Sequence, residues 1–338
     1  MWSEEKLNEL LTTPSAALIE DMKKIKGDIT VLGAGGKMGP TLCVLAKKAA
    51  DAAGANKRVI AVSRGSDPIA TELMKANGVE VIAADLLEKE ALYALPETEN
   101  VIYMAGKKFG TAGNEWQTWA MNATLPAFVA DKFQRSNIVV FSSGNIYPIV
   151  PLATRGCTER DAPAPNGEYA MSCLARERAF EYAANTYGTK VFIYRLNFAV
   201  DLRYGVLFDV ADKILKGKPI SLATPAFNFI WQGSANEIAL RGLLHASSPA
   251  CVMNVTGPET VSVRQAALEL GRYLGKEPIF ADEPGKDAYL NDSSLAMETF
   301  GYPAVSAKTL IRWQAEWLLD GGRTLNKPTH FEERKGKY

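Results

Sequence analysis

Residues 30–39, Thr-Val-Leu-Gly-Ala-Gly-Gly-Lys-Met-Gly, constrain this chain more than any other stretch. A short β-branched and aliphatic run ends in Gly33, Gly36 and Gly39 come after it at three-residue spacing, and a helix-forming segment runs from Pro40 to Ala53. Strand, glycine turn and helix in that order form a phosphate cradle. Glycine lets the backbone turn tightly and approach a diphosphate, and a helix N-terminus offers free N–H groups and partial positive charge. An ordinary tight turn has the same local pattern, so its meaning depends on the rest of the chain.

Beyond the turn, strands and helices alternate. Strand 28–33 precedes helix 38–53, strand 58–63 precedes helix 68–77, and strand 79–83 leads through Asp85-Leu86 to helix 89–94. Strand 100–104 ends in Ala105-Gly106 before helix 115–133; strand 137–142, a loop, a helix from about 168 to 187 and strand 190–195 complete the run. Near-continuous apolar strands separated by helices predict an α/β fold, a doubly wound parallel sheet covered on both faces. Ligands of such sheets sit at the carboxyl ends of the strands. Past Asn197 the pattern loosens. Helices near 208–216, 236–246 and 263–274, and a strand at 251–255, predict a smaller lobe. The expected division is an N-terminal helical extension (1–27), a sheet domain (28–200), and a smaller mixed α/β lobe with a C-terminal tail (201–338). Within the extension, Ser3 caps one helix and Thr13-Pro14-Ser15 ends it and starts another. Leu310, Trp313 and Trp317 form a core stripe on the last helix, and the polar tail lies across the surface.

Composition narrows the function. The 38 basic and 38 acidic residues cancel, leaving no basic field for nucleic acid. No apolar run approaches the ~20 residues needed to span a bilayer, so a membrane role is not expected. Cys43, Cys157, Cys173 and Cys251 are scattered without metal-ligand spacing, which fits reduced thiols in a cytoplasmic protein. His245 and His330 are the only histidines, too few for a histidine-rich metal site or a Ser-His-Asp triad, and no metal is expected.

Several segments stand in one order: Gly33-x-x-Gly36-x-x-Gly39, Asp85-Leu86, Ala105-Gly106, Asn122, Ser142-Ser143-Gly144-Asn145-Ile146-Tyr147, and Tyr169 opening a helix. Over roughly residues 28–275 this resembles the extended short-chain dehydrogenase/reductases, the NAD(P)-dependent epimerases and dehydratases, and implies a Rossmann sheet with a smaller C-terminal substrate-binding lobe. The resemblance places Gly33, Gly36, Lys37, Met38 and Gly39 at the cofactor diphosphate, Asp85 and Leu86 at its adenine, and Ala105 and Gly106 beneath its ribose. Ser143 matches the catalytic Ser/Thr, Tyr169 the general acid/base, and Asn122 a structural and relay asparagine. Ser142 and Ser143 as a plain strand end, and Asn122 as a satisfied buried amide, are the plainer alternatives. The residue types suit the chemistry. Hydride transfer at an alcohol carbon also moves the hydroxyl proton, which a tyrosine oxygen can carry, while a serine hydroxyl holds the substrate oxygen. Such members often dimerise through the helices at 115–133 and 168–187, and Ala170, Leu174, Ala175, Phe180 and Ala183 leave room for close packing, so a homodimer is expected.

Cofactor choice falls at the end of the second strand. The chain has Val62-Ser63-Arg64 there, with no acidic residue to repel a 2′-phosphate and an arginine able to pair with one. NADP(H) is therefore expected over NAD(H). Arg64 as a solvated surface charge is the alternative.

Two departures stand out. The family's Tyr-x-x-x-Lys reads Tyr169-Ala170-Met171-Ser172-Cys173 here, so the cation that holds down the tyrosine pKa is missing. Lys107, Lys108 or Arg176 could replace it, the enzyme could be slow, or the site could be silent. The charges of a nucleotide-sugar clamp are also absent from Phe227-Asn228-Phe229-Ile230-Trp231-Gln232-Gly233. That argues for a small hydroxylated substrate, a sugar, sugar acid or polyol, contacted by Lys108, Asn145, Asn197 and Trp231. Phe229 to Trp231 as a core strand is the equally simple reading. A catalytically silent NADP(H)-binding regulator is the alternative function.

Overall fold

The computed structural model describes residues 1–110 and 113–337. Seven parallel strands form the central sheet: β1 (Ile29–Leu32), β2 (Val59–Ser63), β3 (Glu80–Ala83), β4 (Asn100–Tyr103), β5 (Asn137–Ser143), β6 (Lys190–Leu196) and β7 (Cys251–Val255). Their spatial order is β3-β2-β1-β4-β5-β6-β7. The chain winds one way from β1 and then restarts on the other side at β4. A crevice opens outside the carboxyl ends of these two strands, where the winding direction reverses. Register sharpens this: Leu32 lies opposite both Val62 and Tyr103, so the three strand ends are level.

The strands are apolar on both sides because both sides are covered. Val31, Val59 and Ala61 pack with Leu18, Leu42, Leu45 and Met253 on one face, whereas Leu32, Ile60, Val101 and Tyr103 pack with Leu125, Val129 and Phe180 on the other. The longer helices are α1 (Glu4–Thr12), α2 (Ala16–Lys24), α3 (Gly39–Ala52), α4 (Pro68–Ala76), α5 (Gly167–Tyr187), α6 (Val206–Leu215), α7 (Gln232–Arg241), α8 (Val263–Leu274) and α9 (Ala307–Leu319). Ser3 and Ser15 cap α1 and α2, their hydroxyls accepting the Lys6 and Leu18 N–H groups. The two helices then part company. Leu18, Met22 and Ile25 join the sheet core, but Leu7 and Leu11 join the core of the smaller lobe with Val210, Leu270, Leu310 and Trp317. Trp317 is 1% exposed, as the stripe on α9 predicts for a core face.

The sheet takes in more of the chain than expected. β7 lies beyond the 28–200 boundary yet pairs with β6 from Cys251 opposite Phe192 to Val255 opposite Leu196. α7 packs Ile238 and Ala239 into the same core as Leu42 and Met253. The chain thus leaves the sheet for α6 and returns for one more crossover.

The tail is not a loose surface strand. Leu325 N–H donates to Arg203 O at 2.9 Å, Thr329 N–H to Asp209 Oδ2 at 2.8 Å, and Glu332 pairs with Lys213 at 2.6 Å. Phe331 is 4% exposed, its ring edge-on to Phe227. Arg334 pairs with Asp287, and Gly336 lies against Gly167 at the start of α5, close enough that a Cβ on Gly167 would stand 2.2 Å from Gly336 O.

Candidate active site

The glycine turn meets three separate demands. Gly33 has φ +89°, and a Cβ there would sit 2.5 Å from Ala105 N, so the turn is pressed against the end of β4. A Cβ on Gly39 would lie 2.3 Å from Ala34 O, which closes the start of α3 onto the turn. Gly36 differs: its nearest neighbour would be Gly33 O at 3.5 Å, and the residue lines an open cleft. α3 begins there without a side-chain cap at Met38, so the first turn has no side-chain acceptor at its cap, and its N–H groups, other than at Pro40, are left for a ligand. Close turn, tight packing and one glycine bordering free space fit a dinucleotide diphosphate.

The cleft has a volume of about 790 Å3. Gly36, Lys37, Met38, Gly106, Lys108, Ser143, Asn145, Tyr169 and Asn197 all line it. At its centre β5 ends in Ser143, whose Oγ accepts the Asn145 N–H at 3.1 Å and whose hydroxyl donates to Asn145 Oδ1 at 3.1 Å; Tyr169 lines the same cleft. Tyr169 lies in the first turn of α5, one turn before Cys173. Burial, followed by the neighbouring thiol, pushes the Tyr169 pKa well up; Arg176 pulls it back. Cys173 is fully buried with Ile146, Tyr147 and Cys157, and burial raises its pKa too. Tyr169 and Cys173 are thus both held in their protonated forms.

Of the three candidate cations, Lys107 turns away: its Nζ donates to Gln117 Oε1 at 2.7 Å and it does not line the cleft. Lys108, one residue on, points in, with Nζ 5.4 Å from the Tyr169 ring centre. Burial lowers its pKa to about 8. Arg176 lies behind the wall, where its guanidinium donates to Phe141 O at 2.7 Å and to Asn122 Oδ1 at 2.8 Å. It also forms the underside of Gly106, where a Cβ would meet Nη2 at 2.6 Å.

Other expected residues stand elsewhere. Asn122 is fully buried and lies off the cleft, on a π turn (Ala120–Thr124) that Pro126 favours by lacking the N–H for a regular helical bond. Its amide bonds both backbone groups of Lys107, at 2.8 Å each, and Ser172 Oγ at 3.0 Å, bracing the β4 loop to α5. Leu86 is 6% exposed inside the sheet core with Leu92 and Ile60, because that core needs its side chain; it does not border the cleft. Asp85 accepts the Leu87 N–H at 3.0 Å. Ser63 packs beside Gly35, and Arg64 is exposed at the end of β2. Ala105 is buried under Gly33. Trp231 is 3% exposed in the smaller lobe's core, its ring 5.7 Å from Trp313; it does not reach the cleft, and its neighbour Gln232 does. Asn197 donates to Asn228 Oδ1 at 2.7 Å.

The far wall of the cleft carries no sequence signal. Glu4 and Asn8 of α1, Asp201, Arg203 and Tyr204 before α6, and Arg323, Leu325, Lys327 and Thr329 of the tail line the same cleft. Arg203 bonds Asp201, Glu4 and Asn8, at 2.6, 3.1 and 3.2 Å. No local motif marks these residues; they meet only when both ends of the chain fold over the smaller lobe.

The fold recurs in solved structures. The UDP-glucose 4-epimerase of Thermus thermophilus, solved with NAD, is 19% identical with a TM-score of 0.67 over 86% of this chain and 98% of that one. The UDP-glucuronic acid 4-epimerase from Bacillus cereus, solved with UDP-glucuronic acid and NAD, is 18% identical with a TM-score of 0.69 over 87% and 99%. At these identities the likeness is one of fold. No curated protein matches the chain in sequence. The sequence profile of the NAD dependent epimerase/dehydratase family matches residues 29–248, well over half of the 338. The chain therefore belongs to the NAD-dependent epimerase/dehydratase family.

Proposed function

We propose that the chain is an NADP(H)-dependent oxidoreductase or epimerase acting on a small hydroxylated molecule, with Tyr169 as the proton carrier and Ser143 as the ligand of the substrate oxygen. The observation that carries this reading is that Ser143 and Tyr169 line the same cleft as Gly36. The glycine turn, Met38 and the uncapped start of α3 would hold the diphosphate of the cofactor, which when bound would supply or accept the hydride. Ser143 orients the substrate oxygen, and Tyr169 gives up or takes the hydroxyl proton. Arg176 and Lys108 together replace the missing lysine, one behind Tyr169 and one above its ring. A site of about 300–1,000 Å3 holds one drug-sized ligand. A cleft of about 790 Å3 that must also take a dinucleotide suits a small substrate better than a nucleotide sugar. The UDP-sugars bound by the structural relatives belong to those proteins. A panel of sugars, sugar acids and ketones followed by NADPH absorbance, on wild type and Tyr169→Phe, tests this reading.

The Arg64 side chain is exposed at the end of β2, free to meet a 2′-phosphate. Arg64→Ala is expected to weaken NADPH binding about tenfold, the scale of one charged hydrogen bond, and to leave NADH unaffected. Equal NADPH affinity in the variant rejects the assignment.

A specific observation also favours a second reading. Cys173 occupies the lysine position and Tyr169 is held protonated, which suits a silent NADP(H)-binding protein. Tight NADPH binding without turnover across the panel selects it.

A homodimer through the helical run 115–132 and α5 is part of the proposal. Phe180 and Ala183 face the chain's own core, so they are not the contact surface. Trp116, Met171 and Tyr182 are exposed on the same helices, at 70%, 37% and 60%. Sedimentation at twice the chain mass is expected, and Trp116→Glu with Tyr182→Glu should halve it. A monomeric wild type overturns the assignment.

A further inference from the structure

Charge is balanced over the whole chain but not in the cleft. Among the described residues its lining holds five basic side chains, Lys37, Lys108, Arg203, Arg323 and Lys327, and three acidic ones, Glu4, Asp67 and Asp201. The acids are largely committed. Glu4 bonds Arg203 and Arg323, Asp201 bonds Arg203, and Asp67 caps α4. The three lysines come from three unrelated places: the glycine turn, the loop after β4, and the tail. Phe109 gathers two of them, with Lys37 Nζ 4.8 Å and Lys108 Nζ 5.7 Å from its ring centre. Lys37 also lies 3.5 Å over the Tyr204 ring. Thr329, two residues past Lys327, is fastened to Asp209, and Leu325, two residues before it, to Arg203 O. These ties hold Lys327 against the cleft, which it lines.

We propose that Lys37, Lys108 and Lys327 form an anion-binding subsite that takes the carboxylate or phosphate of an acidic hydroxylated substrate, with the C-terminal tail completing it. The proposal rests on the oxidoreductase reading of the same cleft and narrows its substrate to an acid.

The physical case is one of crowded like charges. Burial, then repulsion from Lys108 and Lys327, brings the Lys37 pKa down to about 7, with Asp209 opposing. Asp209 is the nearby counter-charge: the Thr329 N–H and hydroxyl donate to its carboxylate and favour the charged form, while burial, the larger effect, raises its pKa. An anion between the ammonium groups relieves the repulsion and restores their charge. Aromatic faces around it, Phe109, Tyr204 and Tyr169, exclude water and strengthen each contact.

The test must separate a substrate anion from the cofactor's own diphosphate. Inorganic phosphate is titrated calorimetrically, at constant ionic strength, into protein saturated with NADPH. The expected result is phosphate binding with NADPH in place, weakened about tenfold by Lys327→Gln and likewise by Lys37→Gln, as loss of one charge-assisted bond gives. Phosphate that binds only without NADPH assigns the lysines to the cofactor and overturns the subsite. So does equal affinity in Lys327→Gln, or no binding at all. Protein that takes up no NADPH refutes the oxidoreductase reading alone; phosphate titrated into wild type and Lys327→Gln without cofactor then still decides the subsite.

Discussion

Tyr169→Phe is expected to lower kcat by about 100- to 10,000-fold, the range for loss of a positioned acid or base, while NADPH affinity stays unchanged. The ring still packs in the first turn of α5, so only the proton carrier is lost. The pH dependence comes from the charges around it. The Tyr169 pKa is raised well above the usual phenol value by burial and by Cys173, so near neutrality the residue is an acid, and carbonyl reduction is the favoured direction for a first assay. Lys108, lowered to about 8 by burial, carries its ammonium below that pH and loses it above. A positive charge beside Tyr169 stabilises the phenolate formed on proton donation. Wild-type reduction should therefore slow as pH rises through about 8, and Lys108→Gln should be slower but flat across that range. Unchanged turnover in Tyr169→Phe on every substrate found would remove Tyr169 from the chemistry.

Arg195→Met is expected to destabilise the protein by about 3–5 kcal/mol, as removal of one partner from a buried ion pair does, read as a lower urea midpoint. Glu177 is fully buried in α5. It is held by Arg195 Nε at 3.0 Å and Nη2 at 2.7 Å, and takes the Ser142 hydroxyl. Arg195 also donates to the Tyr147 hydroxyl, which donates to Asn254 Oδ1 at 3.0 Å. The network ties β5, β6 and β7 to the helix carrying Tyr169. Losing Arg195 strands a carboxylate out of water, with the lone pairs it served left unmatched. The double variant Glu177→Leu with Arg195→Met should recover much of the loss, because no charge is then left buried. A loss below about 1 kcal/mol for Arg195→Met, the scale of an exposed pair, would show that the network is not structural.

Local chemistry makes the glycine turn, the serine caps of α1 and α2, and the apolar stripe on α9 legible in the sequence. Two of the residues that sequence misplaces, Lys107 and Trp231, lie one position from ones that line the cleft. Lys107 bonds Gln117 while Lys108 enters the cleft; Trp231 is core while Gln232 lines the cleft. In an extended segment successive side chains point opposite ways, so a motif locates such a segment but not its parity. The far wall depends on something sequence shows even less. Thr329 meets Asp209 across 120 residues and Arg203 meets Glu4 across 199. Contacts that distant leave no periodicity behind. β7 is assigned to the wrong lobe for a related reason: its apolar run reads the same in either one, and only the crossover from α7 decides which sheet it joins.

Arg176 lies under Gly106, and its charge lowers the Tyr169 pKa. One side chain is thus both the floor on which a ribose would rest and a control on the acidity of the tyrosine. Those two properties cannot be adjusted independently. A substitution that raises the floor at Gly106 displaces the guanidinium and retunes the acid, and one that removes the guanidinium lets the floor sink. Redesign of this part of the cleft therefore has to treat Gly106 and Arg176 together.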